Sequence, residues 1–159
     1  MHGFLTENGG IVAEDCAKYK TSTKGVSCSE FASCSPIARV AKTYKLKNPT
    51  EQSIQQELLQ NGAVITDWLA PPFMKDYKGG MFGSGESGGS FVETDSSNAP
   101  LPNHASVILG WGSSGSGKYW IVRNSFGEGF GIKGDMLIPR GNNAYQIESD
   151  IVGFDAEFV

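Results

Sequence analysis

Histidine, cysteine, long apolar stretches and charge of one sign are all scarce in this sequence, and each scarcity excludes a class of protein. No apolar run approaches the roughly 18 residues of a membrane-crossing helix. The formal net charge is only −4 over 159 residues, so no basic surface is expected to draw nucleic acid or an anionic membrane. The opening residues, Met1-His2-Gly3-Phe4-Leu5-Thr6-Glu7, offer neither a basic n-region nor an apolar h-region, and no signal peptide is expected among them. A zinc site needs about four ligands at short spacing. With two histidines and three cysteines in all, and no histidine near the cysteines, none is expected, and no organic cofactor is implied either. The sole near-sequon, Asn48-Pro49-Thr50, is blocked by its proline.

What is present suits one domain able to bury a core without metals, at 39% apolar residues. The 21 glycines are scattered without a repeat, mainly through the second half, which fits a β-rich segment with many turns. Cys16, Cys28 and Cys34 all fall in the first quarter. An odd number so clustered suggests one local disulfide and one cysteine without its partner, with the pairing open. The clustering favours an oxidising compartment.

Along the chain, residues 1–9 read as the end of a helix stopped by Asn8-Gly9-Gly10. Residues 11–36 show no sustained period and are expected to form a stapled loop. Ile37 to Lys47 reads as a strand entering a barrel. Thr50 is placed to cap a short helix with Ile54 and Leu58 on one face and Gly62 past its end. Ala63–Leu69 is a strand ended by Pro71-Pro72. Residues 79–102, rich in Gly, Ser and Pro, form a long surface loop. Strands are then expected at Ala105–Trp111, Tyr119–Arg123, Asp135–Pro139 and near Tyr145–Val152. One helix followed by strands with glycine-rich turns indicates a small, mostly antiparallel barrel or half-barrel.

Two glycine-rich motifs invite misreading. Gly83-Ser84-Gly85-Glu86-Ser87-Gly88 fits G-x-G-x-x-G, yet no amphipathic helix follows to hold a pyrophosphate. Gly112 to Lys118 nearly completes a P-loop, but Tyr119 stands where Ser or Thr should reach magnesium. Tyr-Trp-Ile-Val reads as a strand, so this is a hairpin turn.

Chemistry is expected at His104. His2 sits at the terminus and is read as inert. A histidine at the head of a strand is by itself more often structural, but Asn124 stands at the end of the very next strand, one turn later and ahead of a glycine-rich loop. If the strands pair across a turn near Gly115, His104 and Asn124 adjoin. An amide oxygen accepting an imidazole N–H then fixes the ring's orientation and tautomer, as the third member of a nucleophilic triad does.

Pro102-Asn103-His104-Ala105, Gly110-Trp111-Gly112 and Tyr119 through Gly131 resemble the His and Asn blocks of the papain-like cysteine peptidases, which are highly specific in combination. The likeness continues through Gly134–Gly141 and Ile147-Glu148-Ser149. Upstream, Glu14-Asp15-Cys16-Ala17-Lys18-Tyr19, Cys28-Ser29-Glu30-Phe31 and Cys34, with Asn61-Gly62-Ala63-Val64 and Tyr77 through Phe82, are most similar to the cathepsin X (Z) branch. The cathepsin B and C branches are near alternatives. The resemblance implies an α+β, papain-like fold. Residues 37–159 would form the right-hand antiparallel barrel lobe with His and Asn; residues 1–36 would be the end of a left-lobe helix and a Cys-rich loop, the whole a single partial domain. It implies that His104 is the general base and acid, that Asn124 orients it, and that Phe126 takes the place of a tryptophan shielding the pair. It also implies a lysosomal or secretory address.

The family spacing puts His and Asn about 130 to 150 residues beyond the nucleophilic cysteine. Only 103 residues precede His104, so the cysteine, and the glutamine that helps bind the oxyanion, are expected before Met1. None of the three cysteines here is expected to stand in. Two readings follow. In one, the chain is part of a peptidase completed by a polypeptide bearing the N-terminal papain-like segment, and a cathepsin X-like exopeptidase acting on peptides. In the other, it is a catalytically inactive papain-like module within a larger assembly. His104 and Asn124 favour the first; the absent cysteine, with Phe126 and Phe130 where the family usually has Trp, favours the second.

Overall fold

The computed structural model describes residues 10–18, 33–84 and 101–159. The helix expected at residues 1–9, most of the G-x-G-x-x-G segment, and Cys28 lie outside them. The chain divides into two units, Met1–Thr43 with Phe154–Val159, and Tyr44–Gly153.

In the first unit, a two-residue strand β1 (Ile11–Val12) pairs antiparallel with β2 (Pro36–Lys45), Ile11 facing Ala38. The stapled loop expected over 11–36 therefore contains a short strand. Gly10 permits it: its φ is +132°, and a Cβ there would run into the Ala38 carbonyl oxygen. A Cys16–Cys34 disulfide closes the loop.

The second unit opens with a well-capped helix, α1 (Glu51–Gln60). Thr50 Oγ1 accepts from the Ser53 amide at 3.1 Å, and Ser53 Oγ accepts from the Thr50 amide at 2.8 Å. This reciprocal pair satisfies two otherwise orphaned donors and sets where the helix begins. Ile54 is wholly buried from this helix, and Gly62, at φ +91°, turns the chain away after it.

Next come β3 (Val64–Trp68), a one-turn 3-10 segment (Pro72–Asp76), β4 (His104–Ser114), β5 (Gly117–Arg123), β6 (Asp135–Pro139) and β7 (Asp150–Phe158). Within the unit the strands lie in the order β7-β3-β4-β5-β6, each pair antiparallel. Period-two burial sets the register: Val64, Thr66 and Trp68 on β3, Trp120 and Val122 on β5, and Met136 and Ile138 on β6 all point into one core. Each large apolar side chain so buried contributes about 1.5–3 kcal/mol. Thr66 sits there by donating its hydroxyl to the Ile147 carbonyl at 2.7 Å.

The β4–β5 hairpin turns at Gly115-Ser116, as the near-P-loop glycines suggested. Its register shifts at Leu109, which has no partner between the Ile108–Val122 and Gly110–Ile121 pairs. This bulge lets the core-facing alternation serve both halves of a long strand.

The expected strand from Tyr145 is corrected. Residues Ala144–Gln146 form a 3-10 turn and β7 starts only at Asp150. Asn143, Tyr145 and Gln146 have φ of +51°, +54° and +59°, which no strand accommodates. The Glu148 carboxylate holds this turn, accepting from the Gly141 amide at 2.6 Å and the Asn143 amide at 3.0 Å. The long surface loop expected over 79–102 is also corrected at its start. Phe82 is buried, and its amide donates to the Leu137 carbonyl at 2.8 Å. No helix among the described residues is long and apolar enough to cross a membrane.

Candidate active site

His104 opens β4, opposite Trp68 at the end of β3. Its backbone position is held by the preceding residue: Asn103 Oδ1 accepts from the Ala70 amide at 2.7 Å, and Asn103 Nδ2 donates to the Ala70 carbonyl at 3.1 Å. A side-chain amide here imitates one more rung of the sheet after β3 has ended. Asn124 follows β5 directly. Arg123 pairs with Val107, so Asn124 comes next at the position facing Ser106, on the face that Ser106 shares with His104. The Asn124 amide donates to the Gly134 carbonyl at 3.0 Å, fixing the turn from the other side.

His104 Nε2 and Asn124 Oδ1 are 3.0 Å apart. The same oxygen accepts from the Ser125 amide at 2.8 Å. A backbone N–H needs an acceptor, which assigns Oδ1 as the oxygen and makes the facing Nε2 the protonated nitrogen. In the neutral ring, Nδ1 then carries the free lone pair. Asn124 is 5% exposed, and among the described residues its Nδ2 has no hydrogen-bond partner.

Aromatic rings flank the imidazole. Phe126 stands 5.8 Å from it between centroids, tilted by 58°, and contacts Phe130 at 5.3 Å. Phe126 is 49% exposed, so it covers the His–Asn pair on one side and meets solvent on the other. Trp68 stands 5.7 Å away at 74°. Beyond the pair, Arg123 and Asp135 face each other across β5 and β6 and form a two-point ion pair. That bond holds the Arg123 guanidinium above its ordinary value. The Arg123 side is half exposed and the Asp135 side mostly covered, so solvent screens the pair and it stabilises by about 1 kcal/mol or less.

Cys16 and Cys34 are bonded to each other and so offer no thiol; Cys28 lies outside the described residues. Among the described residues no cluster of His, Cys, Asp or Glu is able to hold a metal. Sequence reasoning missed Trp68, Ser106 and the Asn103 clamp. Trp68 was visible only as one residue of the strand expected at Ala63–Leu69, with nothing to say that it reaches His104.

The model of the papain family of cysteine proteases matches residues 2–154. The chain belongs to that family. Among curated relatives, the cathepsin B-like cysteine proteinase 3 of Caenorhabditis elegans is 33% identical over 158 residues, 95% of this chain and 39% of that protein. Cysteine proteinase 3 of Entamoeba histolytica is 28% identical over 142 residues, 88% of this chain and 41% of that protein. The digestive procathepsin L2 proteinase from Tenebrio molitor larval midgut has the same fold, with a TM-score of 0.69 at 24% identity, covering 96% of this chain and 44% of that one. In all three the papain-family chain spans less than half of the longer protein.

Proposed function

We propose that the chain is the histidine- and asparagine-bearing part of a cysteine peptidase, with the nucleophilic cysteine in a polypeptide segment outside these 159 residues. The observation that carries this is the 3.0 Å approach of His104 Nε2 to Asn124 Oδ1, which leaves Nδ1 as the basic nitrogen. The thiol passes its proton to Nδ1, and the resulting imidazolium stabilises the thiolate. The thiolate attacks the peptide carbonyl carbon and forms a tetrahedral oxyanion. His104 then returns the proton to the departing amine as the C–N bond breaks. Water, deprotonated by the same nitrogen, hydrolyses the thioester and restores the thiol. Asn124 keeps the ring in the one tautomer that serves all these steps.

The Cys-rich loop and the Tyr77–Phe82 segment support a finer reading, a cathepsin X-like exopeptidase. The Cys16–Cys34 bridge supports a lysosomal or secretory compartment. A second reading, an inactive papain-like module within a larger assembly, is favoured by the half-exposed Phe126, because water reaching the His–Asn bond weakens it. Hydrolysis of fluorogenic peptides by the intact protein separates the two. Activity that is blocked by a thiol-directed inhibitor and falls by at least about 10³-fold in His104→Ala fits the first; no thiol-dependent hydrolysis fits the second.

A further inference from the structure

Trp68 is wholly buried at the end of β3, and its Nε1–H donates to Ser106 Oγ at 3.1 Å. Ser106 is itself 5% exposed and sits two residues beyond His104 on the same strand and face. The indole is confined on its other sides by Phe82, at 6.0 Å and 82°, and by Tyr145, at 6.3 Å and 67°. Its ring then meets the His104 imidazole at 5.7 Å and 74°. The imidazole therefore contacts a fixed indole as well as Phe126, with Asn124 Oδ1 at Nε2. Of the two flanking rings only the indole is fully buried and hydrogen-bonded in place.

A serine and a tryptophan N–H are an expensive choice for a core. Two apolar side chains of similar shape would fill the space without polar atoms to satisfy. What the hydrogen bond adds is orientation: without it the indole can rotate about χ2, and the wall behind His104 moves with it.

We infer that Trp68 and Ser106 are positioning residues, a hydrogen-bonded pair that fixes the His104 imidazole in the orientation that Asn124 then locks. The inference rests on the proposed role of His104 for its kinetic consequence alone; the placement of the ring is a separate matter. A displacement of about 1 Å at a reacting group can cost up to about 10²-fold, and a smaller shift of the imidazole against the indole is expected to cost about tenfold in kcat.

Ser106→Val and Ser106→Thr make the test, because they have nearly the same volume and differ in the hydroxyl. In the intact protein, Ser106→Thr keeps kcat within about threefold and retains the His104 Nε2–H proton resonance, whereas Ser106→Val loses about tenfold in kcat with KM unchanged and broadens that resonance. Trp68→Phe reproduces the Val effect, and the double variant Trp68→Phe/Ser106→Val adds little to either, as members of one unit do. If Val and Thr variants give the same His104 resonance and the same imidazole titration, the pair is merely structural and the inference is wrong. If His104→Ala leaves hydrolysis intact, the catalytic reading fails; the resonance of His104 in the Ser106 variants still decides the positioning.

Discussion

The two ends of the β4–β5–β6 sheet treat buried polar groups in opposite ways. At the turn end, Glu148 is 9% exposed and fully engaged. Its carboxylate accepts from Trp120 Nε1 at 2.8 Å, from the Gly141 amide and from the Asn143 amide. Nearby, the buried Arg140 guanidinium pairs with Glu51 of α1 and lies 5.5 Å over the Trp120 ring. At the other end, Asn124 is equally buried, but its oxygen takes two donors while its Nδ2 finds none among the described residues. An unpartnered buried donor costs about 1–3 kcal/mol. One end is built for stability, and among the described residues it leaves no buried side-chain donor unpaired. The other accepts a cost to aim one oxygen at one nitrogen, as functional sites do.

The contrast breaks most visibly at Glu148. Glu148→Ala strands the buried Trp120 Nε1–H and takes the acceptor from the two part-buried amides of Gly141 and Asn143, and is expected to cost about 2–3 kcal/mol in denaturant unfolding, with Glu148→Gln costing less. The His104 Nε2–H resonance should survive under native conditions. Asn124→Ala should do the reverse. Hydrolysis falls by about 10²-fold, while unfolding free energy changes by less than about 1 kcal/mol, since the mutation removes an unsatisfied amide along with a useful oxygen. A large stability loss in Asn124→Ala, or a large activity loss in Glu148→Gln at constant stability, would erase the distinction.

How far the sequence reached follows the same division. The meeting of His104 with Asn124 was legible because a polar residue at each of two strand ends, with a short turn between, leaves few places for them to go. α1 was placed by Thr50 and Ile54, local signals that tertiary packing did not override. The turn at Asn143–Gln146 was missed because left-handed backbone at a tyrosine and a glutamine has no composition signal; it exists only because Glu148, itself positioned by Trp120, gathers its amides. Trp68 behind His104 was missed for a similar reason. Which ring touches which depends on pairing between β3 and β4, separated by 35 residues or more, and alternation alone does not fix that partner.

A smaller effect is expected from the tyrosines between the two ends. Burial holds the Tyr77 and Tyr145 hydroxyls above their ordinary value of 10.0. The unfolded chain therefore ionises first. Their contribution to stability is complete below about pH 10 and is lost as the pH rises through the folded values. The melting temperature should stay level on approach to pH 10 and then fall, and Tyr145→Phe should lessen that fall. The smallest effect is at Phe126. Phe126→Trp extends the cover over the His–Asn bond and should raise kcat by about threefold, roughly 0.7 kcal/mol, with no change at the Glu148 end.

The most direct test of the central claim is to treat the intact protein with a peptidyl thiol-directed covalent inhibitor and locate the adduct by peptide mass spectrometry, in the native sequence and in His104→Ala. One adduct is expected, on a cysteine in a segment outside these 159 residues, formed at least about 10²-fold more slowly in His104→Ala. Labelling that is absent, or that proceeds at the same rate without His104, would contradict it.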